Sequence, residues 1–493
     1  MECKEKVRYR VAWIAGPALA LSACAAGPDY RAPGAAALGI PAAYSRGDTA
    51  PVDEADLATW WSRLGDPTLT ALIETAIAGN LDIVQAQARL RQARESLRQA
   101  QAAFAPQINA SGSGGRAYNS AGGGTRVDDN GNIIGGGAGK WSSNYSASAG
   151  ASWQVDLFGE LSRSAQAARA DLAASGYDLA TVRMTIISEL VTNYVQARLA
   201  QEQLRIARET QSIQQDNYDI ARWRLQAGLV SSLDEQQARA QRAQTDATVP
   251  QLEASLRGSL NRIAVLTGQA PGEATRTLET PAPIPAPNPA GATDMATGIP
   301  ADTLRQRPDV RGAERALAAA TARIGVAQAQ LYPSLGISGN IGTSATAFKN
   351  LFDVVTGSIF GNIAQVIFDG GRLSAQVRSQ RAATDAAFAA YKRTVLTALE
   401  DVENAMASLA SARARQTAFA TALDASNNAA ILARSQYQAG LTDFQTLSNS
   451  ETALLNARNS LAAARSDETL SFARLYDALG GGWQTMDNRP DEQ

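Results

Sequence analysis

The chain has few residues that could do chemistry. Its 493 residues include no His, which excludes an imidazole base, a His metal ligand and a Ser-His-Asp triad. The only cysteines, Cys3 and Cys24, supply neither a disulfide framework nor a zinc site. Glycine-rich runs at 112–115, 122–124 and 135–137 look superficially like phosphate cradles. None of them follows a strand and opens a helix with a Lys, so they read as hairpin loops. With 45 basic and 47 acidic residues the net charge is −2, which gives no pull towards nucleic acid. Neither a catalytic residue nor a metal or cofactor site is expected.

Cys24 is the exception. The chain opens with a basic stretch, "MECKEKVRYR", and continues with a short apolar one, "VAWIAGPALALSA". That apolar stretch is too short to span a bilayer, which takes about 20 apolar residues. It ends in Leu21-Ser22-Ala23-Cys24, which resembles the bacterial lipobox. Cleavage before Cys24 would leave that residue to carry a covalent lipid. Ala25 follows instead of Asp, which by the same resemblance implies sorting to the outer membrane. An ordinary secretory signal that happens to contain a cysteine is the plainer alternative.

The remaining elements are long and repetitive. Residues 24–66 read as an irregular, Pro- and Gly-rich arm containing Trp60 and Trp61. Residues 67–104 read as one helical run, with Asp66 as N-cap and Pro67 in the first turn. "QINASGSGG" and, after a Gly-rich loop, "NYSASAGASWQVDLF" then alternate with period two, the second more strictly. Tyr145, Ala147, Ala149, Ala151, Trp153, Val155 and Leu157 share one face, and small polar residues share the other. Such a strand fits a sandwich edge. It also fits a transmembrane strand of about 9–11 residues. From Glu160 to Ala227 the helical pattern hardly breaks, carrying Val182, Ile186, Leu190 and Tyr194 in one stripe. At 1.5 Å per residue a helix of that length spans roughly 100 Å. Gly228 ends it, Ser231 or Ser232 caps the next helix, and the helix after that turn runs to about Gly268. A Pro-rich, polar linker occupies 269–301.

The pattern then recurs. Asp82 and Pro106 have counterparts in Asp309 and Pro333, and the turn sequence QAGL occurs at both Gln226 and Gln438. The chain therefore divides into a signal segment (1–23), the arm (24–66), repeat 1 (67–268), the linker (269–301), repeat 2 (302–480) and a tail (481–493). Each repeat reads as helix, two strands, long helix, glycine turn, helix. The expected fold is mainly α with a transmembrane β portion: long helical hairpins plus four strands per protomer. Four strands cannot close a barrel, and an open sheet edge cannot sit in lipid, so protomers must pool their strands.

"WWSRLGDPTLTALIETAIAGNLDI" (60–83), "LRQRPDVRGAERALAAATARIGVAQAQLYPSLGISG" (304–339), "IFDGGRL" (367–373) and the twin QAGL turns resemble the outer-membrane-factor family of TolC-type channels, in its NodT-like lipoprotein branch. The resemblance covers nearly all of the chain after the signal segment, in order. It implies a homotrimer with a twelve-stranded barrel above a tube of α-helices. That assembly would sit in the outer membrane and extend into the periplasm. It would serve as the exit channel of a tripartite efflux pump, passing small toxic compounds or drugs. A periplasmic adaptor and an inner-membrane transporter, of the resistance-nodulation-division (RND) type, would be its partners.

The resemblance also places the two glycine turns at the periplasmic tip. Arg222, Arg224, Gly228, Leu229, Ser231, Arg434, Gly440, Leu441, Thr442 and Asp443 would then form the adaptor-docking surface. The plain reading of these residues is a pair of solvated hairpin ends. Relatives carry a carboxylate ring nine residues beyond the second tip glycine. Here that position is Asn449, which carries no charge, so a weak cation preference is expected at the tip. Gln445 and Asn449 are the gate and pore candidates, and Leu447 either lines or packs the tip. Trp141, Trp153 and Phe360 divide evenly between a membrane-interface girdle and an interior role. A type I protein secretion duct and a lipid-anchored bridging protein without a pore are the alternatives.

Overall fold

The computed structural model describes residues 25–41, 44, 57–119, 126–127, 133–134, 140–272, 278, 280–287 and 304–483. The signal segment, Cys24 and the glycine runs at 122–124 and 135–137 lie outside these described residues. In chain order the elements are α1 (Pro67–Gly79), α2 (Leu81–Ala102), β1 (Gln107–Asn119), β2 (Arg126–Val127), β3 (Ile133–Ile134), β4 (Lys140–Val155), α3 (Glu160–Gln226) and α4 (Ser232–Leu266). The second series is α5 (Pro308–Ala329), β5 (Ser334–Ala345), β6 (Val355–Ala364), α6 (Arg372–Gln438) and α7 (Phe444–Ala478). The halves match closely: α3 and α6 have 67 residues each, and α4 and α7 have 35 each.

Strands β1, β4, β5 and β6 form one antiparallel sheet in that order. Its two edges are β1 and β6, while β2 and β3 make a separate two-stranded ribbon. Within β1, Gly112, Gly114 and Gly115 pair with Ala147, Tyr145 and Asn144, and Ser113 between them pairs with Ser146. This corrects their reading as a loop: glycine lowers strand propensity, but the ladder to β4 continues through it. Leu157, expected on the strand face, lies beyond the end of β4.

The chain packs as two compact units. One holds the sheet and comprises the chain up to Arg31, Gln92–Leu172 and Arg315–Phe388. The other comprises Ala32–Arg91, Ala173–Glu314 and the chain from Ala389. Each unit takes matching segments from both sequence repeats. The core of the second unit gathers Trp60, Leu69, Ile73 and Ile83 against Ile187, Leu190 and Tyr194 of α3, Ile263 and Leu266 of α4, Val402 of α6, and Phe472 and Tyr476 of α7. The arm is thus less irregular than its composition reads. Trp60–Leu64 form a 3-10 helix, and Trp60 stacks on Tyr476 with ring centroids 5.9 Å apart. The linker is also less polar in its packing, with Leu278 buried in this core and Ile284 lying against it.

The expected single run over 67–104 is two helices. Asn80 breaks it with an extended backbone (φ −68°, ψ 130°). Its side-chain Nδ2 donates to the Leu266 carbonyl at 2.8 Å, and its Oδ1 accepts from the Asp82 and Ile83 amides at 2.8 and 3.1 Å. One side chain therefore caps α2 and ties it to the end of α4.

Each long helix starts from an aspartate that closes the turn after a strand. The Asp156 carboxylate accepts from the Leu161 and Ser162 amides, and the Asp369 carboxylate accepts from the Gly371 and Leu373 amides. These bonds satisfy helix-start donors that have no partner within the helix. They also hold the Asp369 carboxyl below the usual aspartate range.

Candidate functional site

The sheet register sorts the strand residues onto two faces. Trp153 pairs with Ile337, Ala151 with Gly339, and Gly339 with Ile359; Ile108 pairs with Ala151. That face carries Ile108, Ile341, Ile359 and Ile363, all exposed. The other face pairs Ser111 with Ser148 and Ser113 with Ser146, their hydroxyls 2.9 and 2.8 Å apart, and continues through Asn109, Asn144, Ser338, Asn340 and Asn362. Among the described side chains the polar face has no charged group. A sheet that exposes apolar residues on one face and small neutral polar ones on the other matches a wall between lipid and water.

The aromatics divide by face. Tyr118 and Trp141 pack at 5.1 Å at the loop end of the apolar face, with the Arg116 guanidinium 5.0 Å from the Trp141 ring. At the other end of that face Trp153 donates its indole N–H to the Phe104 carbonyl at 2.8 Å. Trp141 and Trp153 thus lie on the apolar face, at its two ends. Phe360 pairs with Ser338 and lies on the polar face. Tyr194, in α3, is fully buried and takes no part in either face.

The two glycine turns share one geometry. Gly228 (φ 72°) and Gly440 (φ 74°) adopt the left-handed conformation. The Gly228 and Leu229 amides donate to the Leu225 and Arg224 carbonyls at 2.9 Å, and the Gly440 and Leu441 amides donate to the Tyr437 and Gln436 carbonyls at 3.0 and 2.8 Å. This is the double bond of a Schellman turn, which only glycine enters without steric cost. After each turn a side chain caps the next helix: Ser231 accepts from the Leu233 amide at 3.2 Å and Asp443 from the Thr446 amide at 2.8 Å. The Thr446 bonds hold the Asp443 carboxyl below its ordinary range.

Several residues proposed from sequence for docking therefore have structural partners. The hairpins share a small core of Ala221, Ala238, Ala433, Tyr437, Phe444 and Leu447. Leu447, fully buried, packs this core and does not line an opening. Arg224 Nη1 donates to the Tyr437 carbonyl at 2.9 Å, and its guanidinium lies 4.7 Å from the Tyr437 ring. Burial pushes the Tyr437 hydroxyl up in pKa, with Arg224 partly offsetting it. Arg434 pairs with Glu451 at 2.8 Å, and Glu451 also accepts from Asn217 Nδ2 at 2.6 Å. Arg222 reaches Asp219 at 3.7 Å. Gln445 donates to Asn449 at 2.8 Å, and both are exposed. Leu229 and Leu441 are the exposed apolar groups of the two turns, and Thr442 is half-buried beside Leu441.

Sequence reasoning missed a clamp on the chain that follows Cys24. Arg163, buried at the start of α3, donates to the Ala26 and Gly27 carbonyls and forms an ion pair with Asp29 at 2.8 Å. A Cβ on Gly27 (φ 96°) would sit 2.4 Å from the Gly325 Cα, so this stretch lies hard against α5. It also gave no role to Arg307, which is buried ahead of α5 in the stretch that carries the family resemblance. Arg307 bonds to Asp309 at 2.8 Å, to Asp401 at 3.1 Å and to the Ala478 carbonyl at 2.9 Å. Arg163 does not stand out in a sequence with so many arginines, and for Arg307 only Asp309 is near in the chain, while Asp401 and Ala478 are distant.

The chain matches the family model described as outer membrane efflux protein over residues 72–269 and 299–481. It is 30% identical over 476 residues to nodulation protein T of Rhizobium leguminosarum bv. trifolii, covering 95% of this chain and 96% of that one. It is 29% identical over 470 residues to the pyoverdine export outer membrane protein OpmQ of Pseudomonas aeruginosa, covering 95% and 96%. Among solved structures it is similar to the outer-membrane channel OprN, at 32% identity and a TM-score of 0.82, covering 94% of this chain and all of that one.

Proposed function

The chain belongs to the outer membrane efflux protein family, as an exit channel for efflux, and from that premise we propose the assembly and partners through which it works. Three copies pool their sheets into one closed barrel, edge strand β1 of each pairing with edge strand β6 of the next. The apolar faces meet lipid and the polar faces line the pore. A lipid on Cys24 anchors each copy beside the barrel, with the Arg163 clamp holding the chain that leads to it. The glycine turns receive a periplasmic adaptor, with Leu229 and Leu441 as its apolar contacts. An RND-type inner-membrane transporter delivers the cargo, small toxic compounds or drugs, and the channel conducts it passively.

The observation that carries this reading is the open four-stranded sheet with one apolar and one neutral polar face. An open sheet of that kind leaves two edges unsatisfied in lipid, and pairing them between copies removes both. Purified protein reconstituted in planar bilayers is expected to give discrete, long-lived conductance steps with weak cation preference, because Asn449 replaces a charge at the tip. Protein that inserts into the bilayer and gives no conductance would overturn the channel reading in favour of a bridging protein.

A further inference from the structure

The polar face of the sheet has one large apolar side chain among its small polar ones. Phe360 is 63% exposed, with Ser358 and Asn362 as its neighbours on that face of β6 and Ser338 opposite it on β5. An exposed phenyl group gains nothing from water and displaces a residue type that would hydrate the wall better. The strand pattern does not require it either, since Ile359 and Ile363 already supply the apolar face.

Phe360 lines a cavity of the sheet-bearing unit of about 1130 Å³, lined from all four strands of the sheet and from the turns that follow it. Two further aromatics border the same space, Phe158 and Tyr332, stacked with ring centroids 4.9 Å apart. The polar groups there are held in place. Gln154 and Gln330 each donate to Glu160, both at 3.0 Å, so that carboxylate presents a fixed acceptor edge beside the aromatic surfaces. A concavity that combines aromatic faces with a few fixed polar groups is how sites for small, flat ligands are built.

We propose that this cavity is a transit binding subsite of the channel, which takes planar aromatic compounds with polar edges by stacking on Phe360. The proposal rests on the channel reading above, since the polar face must line the pore. Binding there is weak and serves passage: it favours entry of flat apolar cargo along a sheet face whose other described side chains are neutral and polar or small. An aromatic contact of this type contributes on the order of a two- to tenfold change in residence.

The test is single-channel recording of the full-length protein with ethidium as the planar aromatic probe. Ethidium is expected to produce resolved current blocks whose dwell time falls about two- to tenfold in Phe360→Ser and is kept in Phe360→Tyr. In parallel, Phe360→Cys is expected to react with a membrane-impermeant methanethiosulfonate added to the aqueous phase, with Ile359→Cys on the lipid face unreactive. Equal dwell times in wild type and Phe360→Ser would overturn the subsite while leaving the channel intact. An unreactive Phe360→Cys in a conducting channel would overturn it too, because the side chain would then be covered by the neighbouring copy. Absence of conductance in the wild type would take down both readings.

Discussion

Arg307 and the three carboxylates around it show how one buried side chain organises a joint. Arg307 is 6% exposed and bridges the start of α5, Asp401 of α6 and the Ala478 carbonyl at the end of α7. Asp477, on the last turn of α7, faces the same cluster. Burial pushes its carboxyl up to about 6; Arg307 opposes the shift, and Asp401 and Asp309 add to it. A raised carboxyl pKa means that the folded state holds the proton more tightly than the unfolded one. The stability from that proton is full below the ordinary value of 3.8 and is lost as pH rises through about 6. Above that range the ionised, buried carboxylate is a cost. Asp477→Asn should therefore raise the thermal midpoint at pH 8 and leave it nearly unchanged at pH 4. A rise of equal size at both pH values would show that Asp477 acts by packing and not by charge.

Between elements, some joints were read from the sequence and others were not. The glycine turns could be read directly, because a left-handed residue after a long helix needs glycine and the next helix needs a capping side chain. Ser231 and Asp443 fill that role in the two repeats. The break at Asn80 was passed over. Gly79-Asn80, a poor helix former followed by a favoured N-cap, carries a local break signal that the helical run on either side masked, and the bond that fixes the joint is to the Leu266 carbonyl, 186 residues away in sequence. Gly79 and Gly268 meet at the same joint, where a Cβ on Gly268 would sit 2.2 Å from the Gly79 carbonyl oxygen. Asn80→Ala removes the α2 cap and leaves the Leu266 carbonyl unpaired. It should cost about 1–3 kcal/mol, read as a lower thermal midpoint with the helical circular-dichroism signal retained. An unchanged midpoint would mean that the joint is held by its glycines and apolar neighbours alone.

At the scale of the whole molecule, the sequence showed the repeat and the strand alternation because both are periodic. It left the aromatics undecided. In "GSIFGNIAQV" both Ile359 and Phe360 are apolar, so alternation alone does not say which faces lipid. The pairing of Ile359 with Gly339 and of Phe360 with Ser338 does. Residues 112–115 pointed both ways, as the end of the alternating "QINASGSGG" and as a glycine-rich loop, and the β4 ladder holds them in the strand. The central claim is that four strands per copy are incomplete alone and close only between copies. Its most direct test is the mass of the protein extracted from outer membranes in mild detergent, by light scattering corrected for bound detergent. A stable species of three times the protomer mass is expected. A monodisperse monomer would contradict it, because the free edges of β1 and β6 would then have no partner in the membrane.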